Sequence, residues 1–411
     1  MRTARCAADE GPQSARAAAF RLSRPPPDNP PMTAGSWWRT RRDALLACLG
    51  ARDCAYVYDL ATVQRQVAAF GGLRSVTQVL YALKANPHPQ ILRTVHAAGC
   101  GFECVSRAEV ERVLAEVPGV SREHLLFTPN FAPRSEYAWA LERGLRVTVD
   151  NIAILRDWPA LFDGREIFLR LDASSGHGHH EKVRTGGLHS KFGVPPAEFG
   201  ELPGAVAAAG ARVVGLHVHG GSGNFDLAAW LGPARILAAE AARHPGARIL
   251  NLGGGIGIPE RADQAPLDLR ALDAALAGVR ASHPGLDLWM EPGRYFVAAA
   301  GVLLARVTQT KGKGDKRYVG VATGMNSLIR PSLYGARHEI VNLSRLDEPP
   351  SQTCTIVGPI CESGDELGRD RRLPRCIEGD VLLVADAGAY GHAMASSYNL
   401  REPAPELVMP E

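Results

Sequence analysis

Eight short apolar runs recur along residues 78–293, and amphipathic stretches separate them. The runs have six or seven residues each: QVLYALK (78–84), GFECVS (101–106), HLLFTPN (124–130), RVTVDN (146–151), EIFLRLD (166–172), VVGLHVH (213–219), RILNLGG (248–254) and DLWMEPG (287–293). In the stretches between them, such as PQILRTVHAAG (89–99), apolar residues recur at helical spacing. Strands that alternate with helices predict a parallel sheet, and eight such units favour a closed (β/α)8 barrel.

Local signals agree with this alternation. Ser106 is followed three residues later by Glu109, a pairing typical of a helix N-terminus. An open dinucleotide-binding sheet would carry a GxGxxG motif after its first strand, and none follows residues 78–84. The pattern therefore predicts an α/β protein built on a TIM barrel.

The pattern changes after residue 300, and it also differs at the N-terminus. GVLLARVTQT (301–310), KRYVGVATG (316–324), TCTIVG (353–358) and DVLLVADAGAY (380–390) are strand-like. We predict a barrel over 62–300 and a β-rich domain from 36–61 and 301–411, which CAYVYDL (54–60) joins. Residues 1–35 contain a proline cluster and are predicted to be a disordered extension, with a transit segment as the alternative.

Composition and charge limit the classes of partner. The 411 residues carry a net charge of only +3, which offers no basic field for nucleic acid or an anionic membrane. No apolar run reaches the roughly 20 residues that a membrane span needs. Eight cysteines without a CxxC pair favour reduced thiols and a cytoplasmic protein. A small-molecule partner is predicted.

Residues whose side chains can take part in catalysis or binding lie at the ends of the predicted strands. Because the carboxyl ends of barrel strands form one rim, the following should meet there: Lys84, Arg170, His217, His219, the glycine run 253–255 and Glu291. Glycine runs let backbone N–H groups approach a phosphate, and HGGSG (219–223) adds a hydroxyl. A reactive lysine, a phosphate cup and a buried carboxylate together predict pyridoxal phosphate.

The chemistry of this cofactor assigns roles to three of the residues. Lys84 would hold the cofactor aldehyde as a Schiff base, with its amine desolvated enough to be available near neutral pH. Glu291 would keep the pyridine nitrogen protonated, so that the ring accepts electrons from a broken Cα bond. His219 would stack on the ring. A carboxylate at the nitrogen favours decarboxylation.

A zinc site is the competing interpretation of the histidine pair. Period two places His217 and His219 on one face of a strand, as in barrel hydrolases that bind zinc. Those enzymes need further His and Asp ligands at later strand ends, whereas here the later strands end in glycines and Glu291. The GHGHHEK run (176–182) is predicted to be a mobile lid. No metal is predicted.

Seven motifs together resemble, in order and spacing, the diaminopimelate decarboxylases of the alanine-racemase-like fold. They are YALKAN (81–86), LHVHGGSG (216–223), NLGGGIGIP (251–259), EPGR (291–294), RPSLYGARHEI (330–340), GPICESGDEL (358–367) and DAGAYGHAMASSYN (386–399). The resemblance spans roughly residues 37–405. It implies decarboxylation of meso-2,6-diaminopimelate to L-lysine, the last step of lysine biosynthesis, by a cytoplasmic enzyme.

The resemblance also implies individual site residues. Pyridoxal phosphate is implied on Lys84, with His219 on the ring and Glu291 at the nitrogen. Further cofactor contacts are implied at Arg170, Ser222, Gly254, Gly255, Pro292, Gly293, Arg294 and Tyr390. Substrate contacts are implied at Arg294, Arg330, Tyr334, Glu362 and Tyr390. Cys361 matches the proton donor to Cα, and Cys361 and Glu362 are implied to reach the site from the second subunit of a homodimer.

The charges suit this substrate, and alternatives remain open. Diaminopimelate carries an amino acid at both ends, so its distal end needs a cation and an anion, which Arg294, Arg330 and Glu362 provide. A same-fold decarboxylase for another amino acid, such as ornithine, arginine or a carrier-bound substrate, is the first alternative. A non-catalytic relative and a zinc hydrolase are the others.

Overall fold

The computed structural model describes residues 36–173, 187, 190–261 and 263–410. The predicted extension over 1–35 and the predicted lid over 176–182 lie outside the described residues. In the part of the chain that is described, no helix is long and apolar enough to cross a membrane.

The strands alternate with helices up to residue 297 and dominate afterwards. In chain order the strands are β1 Cys54–Tyr58, β2 Val76–Ala82, β3 Gly101–Cys104, β4 Leu125–Phe127, β5 Arg146–Val149, β6 Glu166–Arg170, β7 Arg212–His217, β8 Ile249–Asn251, β9 Asp287–Met290, β10 Gly301–Lys313, β11 Lys316–Val321, β12 Ile340–Asn342, β13 Gln352–Val357, β14 Glu366–Leu373, β15 Val381–Val384 and β16 Glu406–Val408. The helices are α1 Arg42–Leu49, α2 Leu60–Phe70, α3 Pro89–Ala97, α4 Arg107–Glu116, α5 Arg134–Glu142, α6 Ile152–Asp157, α7 Pro159–Phe162, α8 Leu202–Ala208, α9 Ala228–Ala241, α10 Leu269–Ser282, α11 Arg294–Val297 and α12 Arg330–Tyr334.

Strands β2 to β9 close in chain order into a parallel barrel of eight described strands. The last strand pairs with the first, with Val79 of β2 opposite Met290 of β9. Inside the barrel, the rings of Phe168 and Trp289 lie 5.6 Å apart. A Cβ at Gly215 would lie 2.3 Å from Phe168, so glycine makes room for that ring. The predicted barrel followed by a β-rich domain is confirmed.

The predicted strand runs extend beyond the observed strands at their carboxyl ends. β2 ends at Ala82, and Lys84 lies in the 3-10 turn Leu83–Ala85 that follows it. His219 and Glu291 likewise follow β7 and β9 instead of belonging to them. The last residues of each run lie beyond the regular strand at the rim, although some still bond to the neighbouring run, as the N–H of Glu291 does to the carbonyl oxygen of Gly253 at 2.8 Å. The chemistry therefore sits on turns that the barrel holds in place.

The other described strands form one mixed sheet beside the barrel. Its order is β12-β15-β10-β11-β13-β14, and β1 pairs antiparallel with β10 and parallel with β16. A separate apolar cluster, including Leu45 of α1, Val302 of β10 and Leu383 of β15, is buried in this part of the chain. The loop after β15 leads back towards the barrel, because the N–H of Tyr390 donates to the carbonyl oxygen of Ala85 at 2.8 Å.

The predicted helix start at Ser106 is confirmed. Its hydroxyl accepts the N–H of Glu109 at 3.2 Å, and the Glu109 carboxylate accepts the N–H of Val105 at 2.7 Å. Two backbone donors at the start of α4 are thereby satisfied. This fixes the chain directly after β3, which carries Glu103.

Candidate active site

A cavity of about 370 Å³ opens at the rim formed by the carboxyl ends of the barrel strands. The predicted site residues that line it are Lys84, Arg170, His219, Ser222, Gly254, Gly255, Glu291, Gly293, Arg294 and Tyr390. Tyr390 comes from the loop after β15, so the cavity lies where the barrel meets the β-rich part of the chain. Tyr390 has a φ of 54°, a backbone conformation that is strained for a non-glycine residue and is often found at functional sites.

The Lys84 ammonium pairs with the Glu103 carboxylate, which is 2% exposed. The expected desolvation is present, since burial lowers the pKa of Lys84. The charges of Glu103, Tyr390 and Glu291 and the hydrogen bond to Glu103 together outweigh that effect, and the pKa lies above its usual value. Burial therefore does not by itself provide a neutral amine near neutral pH.

Glu103 can take up the proton that Lys84 must lose before it attacks an aldehyde. Burial raises the pKa of the Glu103 carboxyl, and the Lys84 charge opposes that rise. A buried acid with a raised pKa at hydrogen-bond distance from an amine is a suitable acceptor for its proton. The pair thus places a proton acceptor directly beside the Lys84 nitrogen, while the ion pair itself favours the ammonium form.

Glu291 is held as a carboxylate by two neighbours. Its Oε2 lies 3.1 Å from Nε2 of His217, and its Oε1 accepts the amide N–H of Asn251 at 2.7 Å. Burial would raise the pKa of Glu291, but His217, Lys84 and Asn251 together hold it at about 2. Burial lowers the pKa of His217, the charge of Glu291 raises it, and the Nε2–H of the ring donates to the carboxylate. The cavity therefore contains a fixed negative charge.

His219 is a neutral ring with a fixed orientation. The N–H of Gly254 donates to its Nδ1 at 3.2 Å, so the proton of the neutral imidazole is on Nε2. Burial, followed by the charges of Arg170 and Lys84, lowers the pKa of His219 to about 3. A neutral, flat ring at the wall of the cavity can pack against a planar ligand.

The glycine run after β8 leaves no room for side chains. At Gly255, φ is +100° and a Cβ would lie 2.1 Å from the carbonyl oxygen of Gly221. At Gly254, a Cβ would lie 2.2 Å from the carbonyl oxygen of Glu291. The glycines therefore let this turn pack closely against the turns that carry Gly221 and Glu291, and a glycine turn without side chains is typical of phosphate-binding sites.

Arg294 has buried N–H donors that an anionic ligand could bind. It begins α11 and is 8% exposed, and its Nη2 donates to Ser222 Oγ at 3.3 Å. Its Nε and Nη1 are buried and have no acceptor among the described residues. Burial and the nearby Arg330 charge lower the pKa of Arg294 to about 10. Because unpaired guanidinium donors are costly to bury, this site fits a phosphate or carboxylate group.

Arg170 is buried at the end of β6, and its guanidinium lies 4.5 Å from the centre of the Phe192 ring. Burial lowers its pKa, against the charges of Asp150 and Glu291. It reaches the cavity as predicted. Pro292 does not line the cavity; its carbonyl oxygen accepts the N–H of Ala82 at 3.2 Å and so joins the turns after β2 and β9.

Four further predicted residues, besides Pro292, lie outside the cavity wall. Arg330 is 1% exposed and lies close enough to Arg294 for its charge to lower the pKa of that residue, and Tyr334 also affects Arg294. Cys361 and Glu362 are exposed, and the N–H of Cys361 donates to Asn399 Oδ1 at 2.7 Å. Within one chain, the structure therefore does not bring Cys361 and Glu362 to Lys84.

Two important partners were not predicted from the sequence. Glu103 is the only charged residue of the GFECVS run, and a lone acid in a predicted core strand is a signal that could have identified it. Asn251 opens the NLGGG motif, and its amide oxygen also accepts the N–H of Gly253 at 3.0 Å. Its link to Glu291 depends on pairing between β8 and β9, which spacing along the chain does not reveal.

Comparisons with known proteins agree with this site. The sequence profile of the family "Pyridoxal-dependent decarboxylase, pyridoxal binding domain" matches residues 60–298. The diaminopimelate decarboxylase of Methanothermobacter thermautotrophicus is 36% identical over 85% of this chain and 83% of its own length. The enzyme of that name from Deinococcus radiodurans is 37% identical over 86% of this chain and 89% of its own length.

A solved structure gives the same result for the fold. The diaminopimelate decarboxylase from Helicobacter pylori complexed with L-lysine superimposes with a TM-score of 0.81 at 27% identity, over 90% of this chain and 94% of that chain. The cofactor is pyridoxal phosphate, and the buried donors of Arg294 and the glycine run beside Lys84 fit it. The chain belongs to the pyridoxal-dependent decarboxylases and, within them, to the diaminopimelate decarboxylase family.

Proposed function

We propose that this chain removes one carboxylate of meso-2,6-diaminopimelate as carbon dioxide and releases L-lysine. The observation that carries the proposal is the cavity itself, in which Lys84, the ionised Glu291 and the buried donors of Arg294 converge. An amine for an aldehyde, an acid for a ring nitrogen and a cation for a phosphate or carboxylate are what the reaction requires. A cytoplasmic location is part of the same proposal.

The chain's residues hold the cofactor and its protons in place. When bound, the cofactor supplies a protonated pyridine ring that takes up the electrons of the bond broken as carbon dioxide leaves. Lys84 holds the aldehyde carbon, and Glu291 keeps a proton on the ring nitrogen. His219 would pack against the ring face, and Arg170 would contact the phenolic oxygen. Ser222, the turn at Gly254 and Gly255, the turn 292–294 and Tyr390 would hold the phosphate.

The charged groups beyond the ring recognise the uncleaved end of the substrate. Arg294 and Arg330, with Tyr334 and Tyr390, bind its carboxylate, and Glu362 binds its ammonium. Arginine suits a carboxylate because its planar fork offers paired donors. Glu362 is exposed on the turn that carries Cys361. The Glu362 that binds the ammonium must therefore belong to a different chain from the cavity it enters.

We therefore propose a homodimer with shared active sites. Cys361 and Glu362 of one subunit reach the cavity of its partner, where Cys361 donates a proton to the carbon that has lost its carboxylate. Cys361 is exposed, and the residue that anchors its turn, Asn399, lies between the exposed side chains of Tyr398 and Leu400. Neighbouring exposed apolar side chains of this kind support an interface at this surface.

The first experiment identifies the substrate. Purified protein loaded with pyridoxal phosphate is expected to release carbon dioxide from meso-diaminopimelate and form L-lysine in equal amounts. L-Ornithine, L-arginine and L-lysine serve as matched competitors that lack the second carboxylate. Preference for one of these competitors would reject the substrate assignment, and activity that requires added zinc without the cofactor would favour the barrel hydrolase.

The second experiment tests the shared site. Lys84→Ala and Cys361→Ala are each expected to be severely impaired alone. After mixing and subunit exchange, half of the dimers are mixed and one site in each is intact, so activity should recover to about 25% of wild type. The control is a mixture of the Lys84→Ala and Glu291→Gln proteins, whose substitutions affect the same subunit's cavity and which should show no recovery. Absence of recovery in the first mixture despite exchange would exclude shared sites.

A further inference from the structure

Arg330 is a buried cation held by two neighbours. Its Nη1 lies 2.9 Å from Nε2 of His338, and its Nη2 donates to Glu260 Oε1 at 3.3 Å. The other carboxylate oxygen of Glu260 accepts the N–H of Arg337 at 3.3 Å. Arg330 and His338 are each 1% exposed. The guanidinium is therefore fixed from two sides without any contact to bulk water.

The hydrogen-bond pattern determines the protonation of His338. Its Nδ1 lies 2.8 Å from the carbonyl oxygen of Ala385, which can only accept, so Nδ1 carries a proton. Arg330 can only donate, so Nε2 of His338 is the unprotonated acceptor. Burial and the Arg330 charge lower the pKa of His338 to about 3, which agrees with a neutral ring.

The Arg330 guanidinium has N–H donors that these two contacts leave unused. Its Nε is buried and has no acceptor among the described residues. Because Nη1 and Nη2 are both engaged by the protein, the guanidinium cannot rotate without breaking a contact to His338 or Glu260. Arg330 also lies near Arg294, whose pKa it lowers. The fixed guanidinium thus lies near Arg294, and the proposed function assigns both arginines to one carboxylate.

We propose that His338 is a positioning residue that orients Arg330 for the carboxylate at the uncleaved end of the substrate. This inference rests on the proposed function, in which Arg330 binds that carboxylate. His338 links the end of β15, through Ala385, to the first residue of α12. The β-rich part of the chain thereby sets the direction of a cation that acts in the cavity of the barrel.

Two substitutions separate the two contacts of His338. The amide of asparagine lies near the position of Nδ1, so His338→Asn keeps a donor for Ala385 and loses the acceptor for Arg330. The amide of glutamine reaches the position of Nε2, so His338→Gln keeps an acceptor for Arg330 and loses the donor for Ala385. Both remove an aromatic ring from the same buried position, so each is a control for the other.

The test measures ligand binding by calorimetry on the cofactor-loaded proteins. L-Lysine retains the carboxylate of the uncleaved end, and cadaverine lacks it. His338→Asn should weaken L-lysine binding by roughly tenfold and leave cadaverine binding within about twofold, because a hydrogen bond to a charged group is lost. His338→Gln should bind L-lysine within about threefold of wild type, and the KM for meso-diaminopimelate should follow the same order.

Other outcomes would overturn the inference. Equal L-lysine affinities in the two variants, or an equal loss for L-lysine and cadaverine, would mean that His338 only supports the fold. Should His338→Asn fail to fold, His338→Gln is compared with Arg330→Gln, and equally weak L-lysine binding in those two would contradict the inference. A wild-type enzyme without activity on meso-diaminopimelate would instead contradict the proposed function.

Discussion

Lys84→Ala is expected to abolish decarboxylation, with kcat lower by a factor on the order of 10⁴ or more. The substitution removes the amine that the site offers to the cofactor aldehyde at the end of β2, and it leaves the Glu103 carboxylate buried without its cation. The visible absorption of the bound cofactor should disappear with the activity. Borohydride treatment of the wild-type enzyme should fix the cofactor to the peptide that contains Lys84, which mass spectrometry can identify.

Lys191→Ala is the matched control for this prediction. Lys191 lines the same cavity but does not follow β2. Its ammonium lies 5.3 Å from the centre of the Phe192 ring. The Lys191→Ala protein should still carry the cofactor on Lys84 after borohydride treatment. Covalent attachment in the Lys84→Ala protein, or its loss in the Lys191→Ala protein, would assign the reactive amine to a different position.

Alternation along the chain was sufficient to predict the barrel. Each apolar run became one of the barrel strands, because a parallel sheet covered by helices on the outside and filled inside requires apolar residues on both faces. The strand ends were less predictable. The runs at 78–84 and 213–219 continue into residues that are still apolar or β-branched, although the sheet has already ended. Only the geometry of the rim decides at which residue the regular pairing between neighbouring strands ends.

The site was predictable to the extent that the motifs are local. Lys84, His219, the glycine run and Glu291 follow strand ends directly, and the structure brings them to one cavity. Their partners were not predictable in this way. Glu103 meets Lys84 because β2 and β3 are adjacent in the barrel, with Ala82 opposite Glu103. Such contacts depend on register between strands, which the spacing of residues along the chain does not contain.

Three cations of the cavity, Lys84, Arg170 and Arg294, have an acidic neighbour whose charge acts on them. Glu103 faces Lys84, Asp150 and Glu291 act on Arg170, and Glu260 acts on Arg294. Removing one member of a buried pair is more damaging than removing both, because the remaining charge is left without compensation. Substitutions in this cavity should therefore be neutral isosteres wherever the aim is to test chemistry instead of folding.

Glu291→Gln is such an isostere, and we expect it to lower kcat by roughly 10²–10³-fold. Glu291 is ionised at any working pH, since His217 and Asn251 help hold its pKa at about 2 against burial. Glutamine keeps the shape and still accepts one hydrogen bond, but it supplies no negative charge to keep a proton on the pyridine nitrogen. The ring would then attract the electrons of the breaking bond less strongly, so the chemical step should slow while substrate affinity changes little.

A cofactor analogue in which the ring nitrogen is replaced by C–H tests the same contact from the other side. Loaded into the wild-type enzyme, it should lower kcat by a factor similar to that of Glu291→Gln. Loaded into the Glu291→Gln protein, it should cause little further loss, because both changes remove one interaction and such effects are not additive. If the two losses multiplied instead, Glu291 would act on the reaction by a route other than the ring nitrogen, and its assigned role would have to be abandoned.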